Sequence, residues 1–260
     1  MNCKICGSIS HDFANGKIIN KYSIKYYQCE HCGFIQTEEP YWLEEAYEQV
    51  INDSDIGAVS RNIVNATICR AVIHAFFNPE ARFVDFGGGY GMFVRLMRDY
   101  GFDFYRVDKY CQNLFAKGFD LEEPIGDQLE LLTAFEVFEH FSNPSANFVE
   151  LLKMSSNILC STELIPALNP KPEEWWYYGL DHGQHVSFYT VQSLRHLADS
   201  NGLNLYTNNR NFHMFSQKKV PELFFQLLCK NLISQVFNFF NGRTSLIAKD
   251  FKSITGKNLT

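Results

Sequence analysis

The sequence predicts an α/β fold: a mostly parallel sheet wound with helices, closed by an antiparallel last strand and preceded by a small metal-binding ribbon. Three observations predict it. Residues 82–91 read RFVDFGGGYG, an apolar run that passes through glycines into the helix-like MFVRLMRDYG. Residues 102–107 are a second apolar run, ending on the carboxylate of Asp108. Cys3-Lys4-Ile5-Cys6 and Cys29-Glu30-His31-Cys32 are two C-x-x-C pairs near the start of the chain. A buried parallel strand that turns through glycines into a helix has the first pattern. An acid about 20 residues further on, at the end of the next strand, can accept hydrogen bonds from ribose hydroxyls.

The chain of 260 residues suffices for one large α/β domain and a small appendage. It is 46% hydrophobic and 15% aromatic, and its formal charge of −6 argues against a general nucleic-acid binder. Basic residues nevertheless gather late in the chain. Arg210, Lys218, Lys219, Lys230, Arg243, Lys249, Lys252 and Lys257 face only Glu222 and Asp250. A solvated helix face explains that run most simply, and an anionic substrate or membrane surface is the alternative. Met1 leads into Asn2, Cys3 and Lys4 without an apolar leader, and no stretch reaches the roughly 18 apolar residues of a membrane span. Eight cysteines in this context point to metal ligation or free thiols, and the expected location is cytoplasmic.

Taken in order, the two cysteine pairs come first. Each is followed by a glycine, Gly7 or Gly33, which permits a tight knuckle with backbone N–H groups aimed at sulfur. Cys3, Cys6, Cys29 and Cys32 thus form the ligand set of a structural zinc site, with short strands across residues 17–28 between the pairs. His31 is surplus to four thiolates. Residues 41–51 read as a helix, with Trp42, Ala46, Tyr47 and Val50 at near-helical intervals. Residues 52–57 are a polar break, and residues 61–77 a second helix stopped by Asn78-Pro79.

At the glycine turn, Asp85, Gly87, Gly89 and Gly91 fit D-x-G-x-G-x-G in full. The dinucleotide pattern G-x-G-x-x-G would require glycine at Met92, and a carboxylate at the strand end repels a pyrophosphate. These residues disfavour nicotinamide-dependent oxidoreduction, the second enzyme class to weigh, and suit a cationic or hydroxyl-rich ligand. The turn resembles motif I of the class I S-adenosylmethionine (SAM)-dependent methyltransferases. The resemblance implies a Rossmann-like sheet in which the loop, Tyr90 included, wraps the amino-acid part of SAM. It further implies that Asp108 holds the ribose, that Lys109 and Tyr110 flank the adenine, and that Phe135 and Glu136 also touch the cofactor. A non-catalytic module with a vestigial cofactor fold would require a defective loop, and this one is intact.

Beyond Asp108 the chain is less regular to residue 127. Residues 129–135 and 156–161 then read as buried strands, with a helix over 145–154 started by Asn143-Pro144. A proline-broken loop over 162–172 leads to Trp175, Trp176, Tyr177 and Tyr178. As an exposed crest these would stack on a sugar or base; as buried residues they would pack the loop. Residues 190–201 form a helix with Thr190 as N-cap and Gly202 as its stop. Residues 203–207 and 212–216 make a terminal hairpin, and 221–240 an apolar helix. The resulting segments are a ribbon over 1–39, helices over 40–80, a Rossmann-like core over 81–220 and a tail over 221–260.

The whole chain is similar to the zinc-containing branch of these methyltransferases, which includes deoxysugar C-methyltransferases. Their E-H-L-S-Y-F-S segment corresponds to Gln184-His185-Val186-Ser187-Phe188-Tyr189-Thr190, so His185 matches the family's catalytic histidine. Gln184 replaces a glutamate, and His182 stands where a tyrosine can occur. A neutral Gln184 cannot help remove a carbon-bound proton, which favours oxygen over carbon as the acceptor. His185, His182 and His140 are the candidate bases. Glu136-Val137-Phe138-Glu139-His140 also resembles the E-x-x-E-H of ubiquinone-pathway and small-RNA 2′-O-methyltransferases, where it binds a divalent metal. The expected activity is O-methylation of a sugar, nucleotide-linked sugar or related small molecule.

Overall fold

The computed structural model describes residues 1–48, 56–122 and 129–259. In chain order they form β1 (Ser10–Ile18), β2 (Tyr22–Cys29), β3 (Ile35–Thr37), α1 (Leu43–Ala46), α2 (Ala58–Phe76), β4 (Arg82–Phe86), α3 (Met92–Asp99), β5 (Asp103–Val107) and β6 (Leu131–Phe135). There follow α4 (Pro144–Leu152), β7 (Ile158–Ser161), β8 (Ser187–Phe188), α5 (Val191–Ser200), β9 (Asn204–Thr207), β10 (Phe212–Ser216), α6 (Glu222–Leu228), α7 (Asn231–Phe240) and α8 (Ile247–Thr255). The larger sheet has strand order β5-β4-β6-β7-β10-β9 and the smaller β1-β2-β3-β8. β4 runs parallel to β5 and β6, and β10 is antiparallel to β9, as the sequence pattern anticipates.

Two compact units divide the chain. One comprises Met1–Ser54, Glu136–Lys153 and Cys160–Lys218; the other comprises Asp55–Phe135, Met154–Leu159 and Lys219–Thr260. The first unit contains the whole smaller sheet. β3 pairs with β8 through Ile35↔Phe188 and Gln36↔Ser187, so the ribbon strands continue into a segment about 150 residues later in the chain. Trp42, Tyr26, Tyr178 and Phe188 fill the core behind this sheet. Asn143 caps α4 by accepting from Ala146 N–H, with Pro144 at the first helical position. Thr190 and Ser193 cap α5 reciprocally.

In the second unit β4 buries Phe83, Val84 and Asp85 in succession, the signature of a strand covered on both faces. Phe83 stacks on Phe104 of β5 at 5.0 Å, and Phe93 of α3 meets Phe104 edge-on at 5.5 Å. The middle of α2 is buried, at Asn65–Cys69 and Ala71–Ile73.

Two elements differ from the sequence pattern, and the helical tail gains a placed helix. The helix over 41–51 is α1 alone, and its last positions, Val50 among them, lie outside the described residues, as do 52–55 of the polar break and 123–127 of the irregular stretch. The apolar helix over 221–240 is two helices bent by 94°. Lys230 takes an extended conformation between them, and the Ser234 hydroxyl bonds the Leu228 carbonyl that the break sets free. The tail holds a helix, α8, anchored by a buried charge: Asp250 meets Arg98 twice, at 2.7 and 2.9 Å, and Arg95 at 2.9 Å. Hydrophobic patterning does not reveal a helix held by an ion pair.

Removal of a buried carboxylate partner leaves guanidinium charge uncompensated. Asp250→Ala is expected to lower stability by about 3 kcal/mol in urea unfolding. A loss below about 1 kcal/mol, the range of surface pairs, would show that α8 is not docked through this contact.

Candidate active site

The residues assigned to the cofactor sit at the carboxyl ends of three neighbouring strands, where open α/β sheets bind ligands. β4 ends in the glycine turn, β5 in Asp108 and β6 in Phe135. Gly87 N–H bonds the Val107 carbonyl at 2.8 Å, which ties the turn to the end of β5. Gly91 has φ 86, and a Cβ there would lie 2.7 Å from Asn113 Oδ1 and 3.2 Å from Ala116. Only glycine fits. Asp108 accepts from Gly89 N–H at 2.9 Å through Oδ2, and from Tyr110 and Cys111 N–H at 2.8 and 2.7 Å through Oδ1. Lys109 and the Tyr110 ring beside it are exposed. The Tyr90 carbonyl accepts from Leu114 and Phe115 N–H, and Phe135 packs edge-on against Phe93 at 5.0 Å.

The sequence reading passed over Arg106. Its buried guanidinium bonds the Gly89 carbonyl, the Cys111 carbonyl at 3.0 Å and Asp120 at 2.7 Å, holding the glycine turn to the following loop. An arginine inside an apolar strand was the available signal, because buried arginines are rare unless paired. Asp85 is also buried and accepts from the Thr133 hydroxyl at 2.6 Å. Burial pushes its carboxyl up to about 7; Asp108 adds to this, while Thr133 and Arg106 oppose it.

The first unit gathers the histidines. Glu136 opens the segment with φ 55, a conformation that is strained for a residue with a Cβ, and its Oε1 accepts from the Ser161 hydroxyl at 2.5 Å. A single 3₁₀ turn, Phe138–His140, follows. The His185 ring lies 5.0 Å from that of His140 and 4.7 Å from that of His182. His185 Nδ1 donates to the Tyr177 carbonyl at 2.6 Å, and His140 Nδ1 contacts the Gln184 carbonyl at 3.2 Å and the Tyr47 hydroxyl at 3.1 Å. A carbonyl can only accept, so in both rings the proton sits on Nδ1 and the lone pair on Nε2. Burial lowers the His140 ring to about 4, helped by His182; burial, His140 and His182 hold His185 well below the usual range.

Glu139 stands beside them with no exposed surface; the Tyr177 and Thr162 hydroxyls act on its carboxyl, but neither oxygen has a partner at full hydrogen-bond geometry among the described residues. Burial, reinforced by Glu136, raises its carboxyl well above the usual range. Ligand atoms of Glu139, His140 and His185 all lie within 4.8 Å of one another. The sequence reading had grouped Glu136 and Glu139 with His140 and had treated His185 separately; the fold joins His185 to Glu139 and His140. Gln184 turns away, its Nε2 donating to the Ala46 carbonyl at 2.8 Å. His182 Nδ1 accepts from Gln184 N–H at 3.1 Å, and its ring occupies the space in which a Cβ on Gly179 would fall.

Of the four aromatic residues, for which the sequence leaves an exposed crest and a packed loop both open, Trp176 alone is exposed, at 75%, and Trp175 is half-buried. Tyr177 and Tyr178 are buried, with hydroxyls on Thr162 at 3.0 Å and the Pro170 carbonyl at 3.1 Å. They pack the loop, because the core of the smaller sheet needs large apolar side chains at that point. The four cysteine sulfurs cluster within 4.8 Å, with Cys3–Cys32 and Cys6–Cys32 at 3.6 Å and Cys6–Cys29 at 3.4 Å. Ile5 and Cys32 N–H groups each point at a cysteine sulfur at 3.4 Å.

A model of the methyltransferase domain matches residues 61–208, from α2 to the end of β9. The chain belongs to the methyltransferase-domain family. The matched residues include both the glycine turn and the histidine cluster. Solved structures similar to this methyltransferase include the mitomycin 7-O-methyltransferase, 13% identical over 66% of this chain and 60% of that one, with a TM-score of 0.45. The plantazolicin methyltransferase in complex with S-adenosylhomocysteine is 12% identical over 66% and 94%, with a TM-score of 0.44. Magnesium protoporphyrin IX methyltransferase from Synechocystis PCC 6803 is 15% identical over 68% and 94%, with a TM-score of 0.43. The methyltransferase thus spans 60% of the length of the first of these. No curated protein matches it in sequence.

Two outcomes test the cofactor half. Asp108→Ala is expected to weaken S-adenosylhomocysteine binding by about 2–4 kcal/mol, roughly 30- to 1,000-fold by calorimetry. Unchanged affinity would refute the ribose role. Burial pushes the Asp85 carboxyl up to about 7, and a cofactor ammonium bound beside it would favour the carboxylate. Affinity is therefore expected to rise with pH up to about 7 and then level off; a flat profile would make Asp85 a group that only braces the loop.

Proposed function

We propose that this methyltransferase transfers the methyl group of SAM to a hydroxyl oxygen of a small sugar or sugar-linked molecule, and that Glu139, His140 and His185 hold a divalent cation at the acceptor. The observation that carries the cation is Glu139. A fully buried carboxylate offset only by the Tyr177 and Thr162 hydroxyls is costly unless it takes up a proton or a cation compensates it, and two open imidazole nitrogens beside it favour the cation. One carboxylate and two imidazoles with open Nε2 atoms are a donor set for a divalent metal with free positions. The carbonyls of Tyr177 and Gln184 fix both ring tautomers, as outer partners of metal-binding histidines do. Bound there, the ion would supply Lewis acidity toward the acceptor oxygen.

The chain's own groups do the rest. The glycine turn and Asp108 bind and orient SAM, and alignment of donor and acceptor lowers the barrier for in-line transfer. The methyl–sulfur bond breaks as the methyl–oxygen bond forms, and the hydroxyl proton is lost. His182, adjacent to His185, is placed to orient the acceptor, and exposed Trp176 offers a face to a sugar ring. The carbohydrate assignment rests on the resemblance of residues 184–190 and of the cysteine knuckles to the sugar enzymes. His185 acting alone as general base is the second reading, favoured by its bond to Tyr177, which leaves Nε2 open. Burial makes an isolated imidazole at this position a weak proton acceptor.

We also propose that Cys3, Cys6, Cys29 and Cys32 hold a structural zinc. A tetrahedron with bonds of about 2.3 Å separates its sulfurs by about 3.8 Å, close to the spacing here. The protein is proposed to work in the cytoplasm, where its eight free cysteines stay reduced.

Glu139→Gln separates the two readings of the acceptor half. With labelled SAM and a panel of nucleotide sugars, the cation reading expects activity that falls by about 10²-fold or more in EDTA, returns with Mg²⁺ or Mn²⁺, and is lost in Glu139→Gln. EDTA-insensitive activity that survives Glu139→Gln but falls by about 10²–10⁴-fold in His185→Ala would assign the general base instead. For the ribbon, metal analysis is expected to find about one zinc per chain, with Cys29→Ser losing it and lowering yield or stability. A zinc-free protein of full stability would remove this site.

A further inference from the structure

Helix α7 is built inside out. Its fully buried positions are polar: Ser234 is fully buried, and Asn238, also buried, donates to the Thr67 carbonyl of α2 at 2.8 Å, while Ile233 and Phe237 beside them are half-buried, Phe237 against Phe224. Its exposed face carries Leu232, Val236, Phe239 and Phe240, exposed by 72, 55, 81 and 78%. Spacings of four, three and one residues keep these four side chains on one side of the helix, opposite Ser234 and Asn238. No residue of α7 is charged. Contiguous apolar surface of this kind marks an interaction site.

We propose that α7 is a docking face for an anionic lipid bilayer. The charge of the same stretch of chain selects this occupant. Lys218, Lys219, Lys230, Lys249, Lys252 and Lys257 belong to residues 218–259, in a chain whose net charge is −6. Of the two acids in the same stretch, Asp250 is consumed by Arg98 and Arg95, which leaves Glu222 at the surface. Exposed apolar side chains in a lysine-rich stretch match the boundary between acyl chains and anionic headgroups. A symmetric pairing of two copies through the same face would bring like charges together. A helix of ten residues is about 15 Å long, half the bilayer core, so α7 lies in the membrane surface and does not cross it. The segment also falls outside the residues matched by the methyltransferase-domain model. It is an addition to the domain that performs the transfer, and one that would bring the enzyme to acceptors carried on lipid.

Co-sedimentation of the full chain with vesicles tests this. Binding is expected to vesicles of phosphatidylcholine mixed with phosphatidylserine, to be at least about tenfold weaker on phosphatidylcholine alone, and to weaken with added salt. Leu232→Glu with Phe239→Glu is expected to abolish it, and Lys249→Glu with Lys252→Glu to reduce it about tenfold on the anionic vesicles. Phe239→Ser is a milder second variant; circular dichroism and S-adenosylhomocysteine affinity are expected to match the parent in all three. No sedimentation of the parent with anionic vesicles would overturn the proposal. So would full binding by a folded stripe variant, or a dimer in ultracentrifugation that the stripe variant dissociates.

Discussion

The pairing of β3 with β8 is the contact on which the histidine-bearing unit depends. Only two residue pairs form it, Ile35↔Phe188 and Gln36↔Ser187, extended by Thr37 N–H on the Val186 carbonyl at 3.1 Å. Val186 N–H in turn bonds the Glu139 carbonyl at 2.8 Å. The segment carrying His182 and His185 is therefore held by the ribbon on one side and by the turn carrying Glu139 and His140 on the other. Short strands alone would not hold it; the buried rings of Tyr26, Tyr178 and Phe188 supply the apolar area that does. Thr190 extends the same logic, since its hydroxyl caps α5 and also bonds the Cys32 carbonyl at 2.6 Å. The cysteine cluster, the ribbon sheet and the histidines thus form one mechanical chain within the unit.

Both halves of the site give up stability locally. Asp85 and Glu139 are buried carboxylates raised by burial, and Glu136 holds a left-handed backbone without being glycine or asparagine. Strain and uncompensated polar groups of this kind concentrate where a ligand later supplies the missing partner. In the second unit the partner proposed for Asp85 is a cationic cofactor, and in the first the partner proposed for Glu139, beside two neutral imidazoles, is a divalent cation.

Much of this was legible residue by residue. The glycine turn, Asp108, the cysteine knuckles and the Thr190 cap each depend on neighbours in sequence, because turns, caps and knuckles are closed by local hydrogen bonds. The tyrosines at 177 and 178 were ambiguous for the opposite reason: an aromatic on a loop packs or projects according to what lies behind it, and here that is the ribbon sheet. α8 was illegible because an ion pair with residues about 150 positions earlier holds it.

The sequence by itself determined the α/β class, the glycine turn with Asp108 at the end of the next strand, and the cysteine set, since spacing along the chain dictates all three. The tertiary structure alone decided that β8 completes the ribbon sheet, that His185 joins Glu139 and His140, that Arg106 clamps the glycine turn, and that α7 shows its apolar face to the outside. Each of these depends on residues far apart in the chain or on which face of an element is covered. Local propensity carries no information about either, because burial is a property of what packs against a segment and not of the segment.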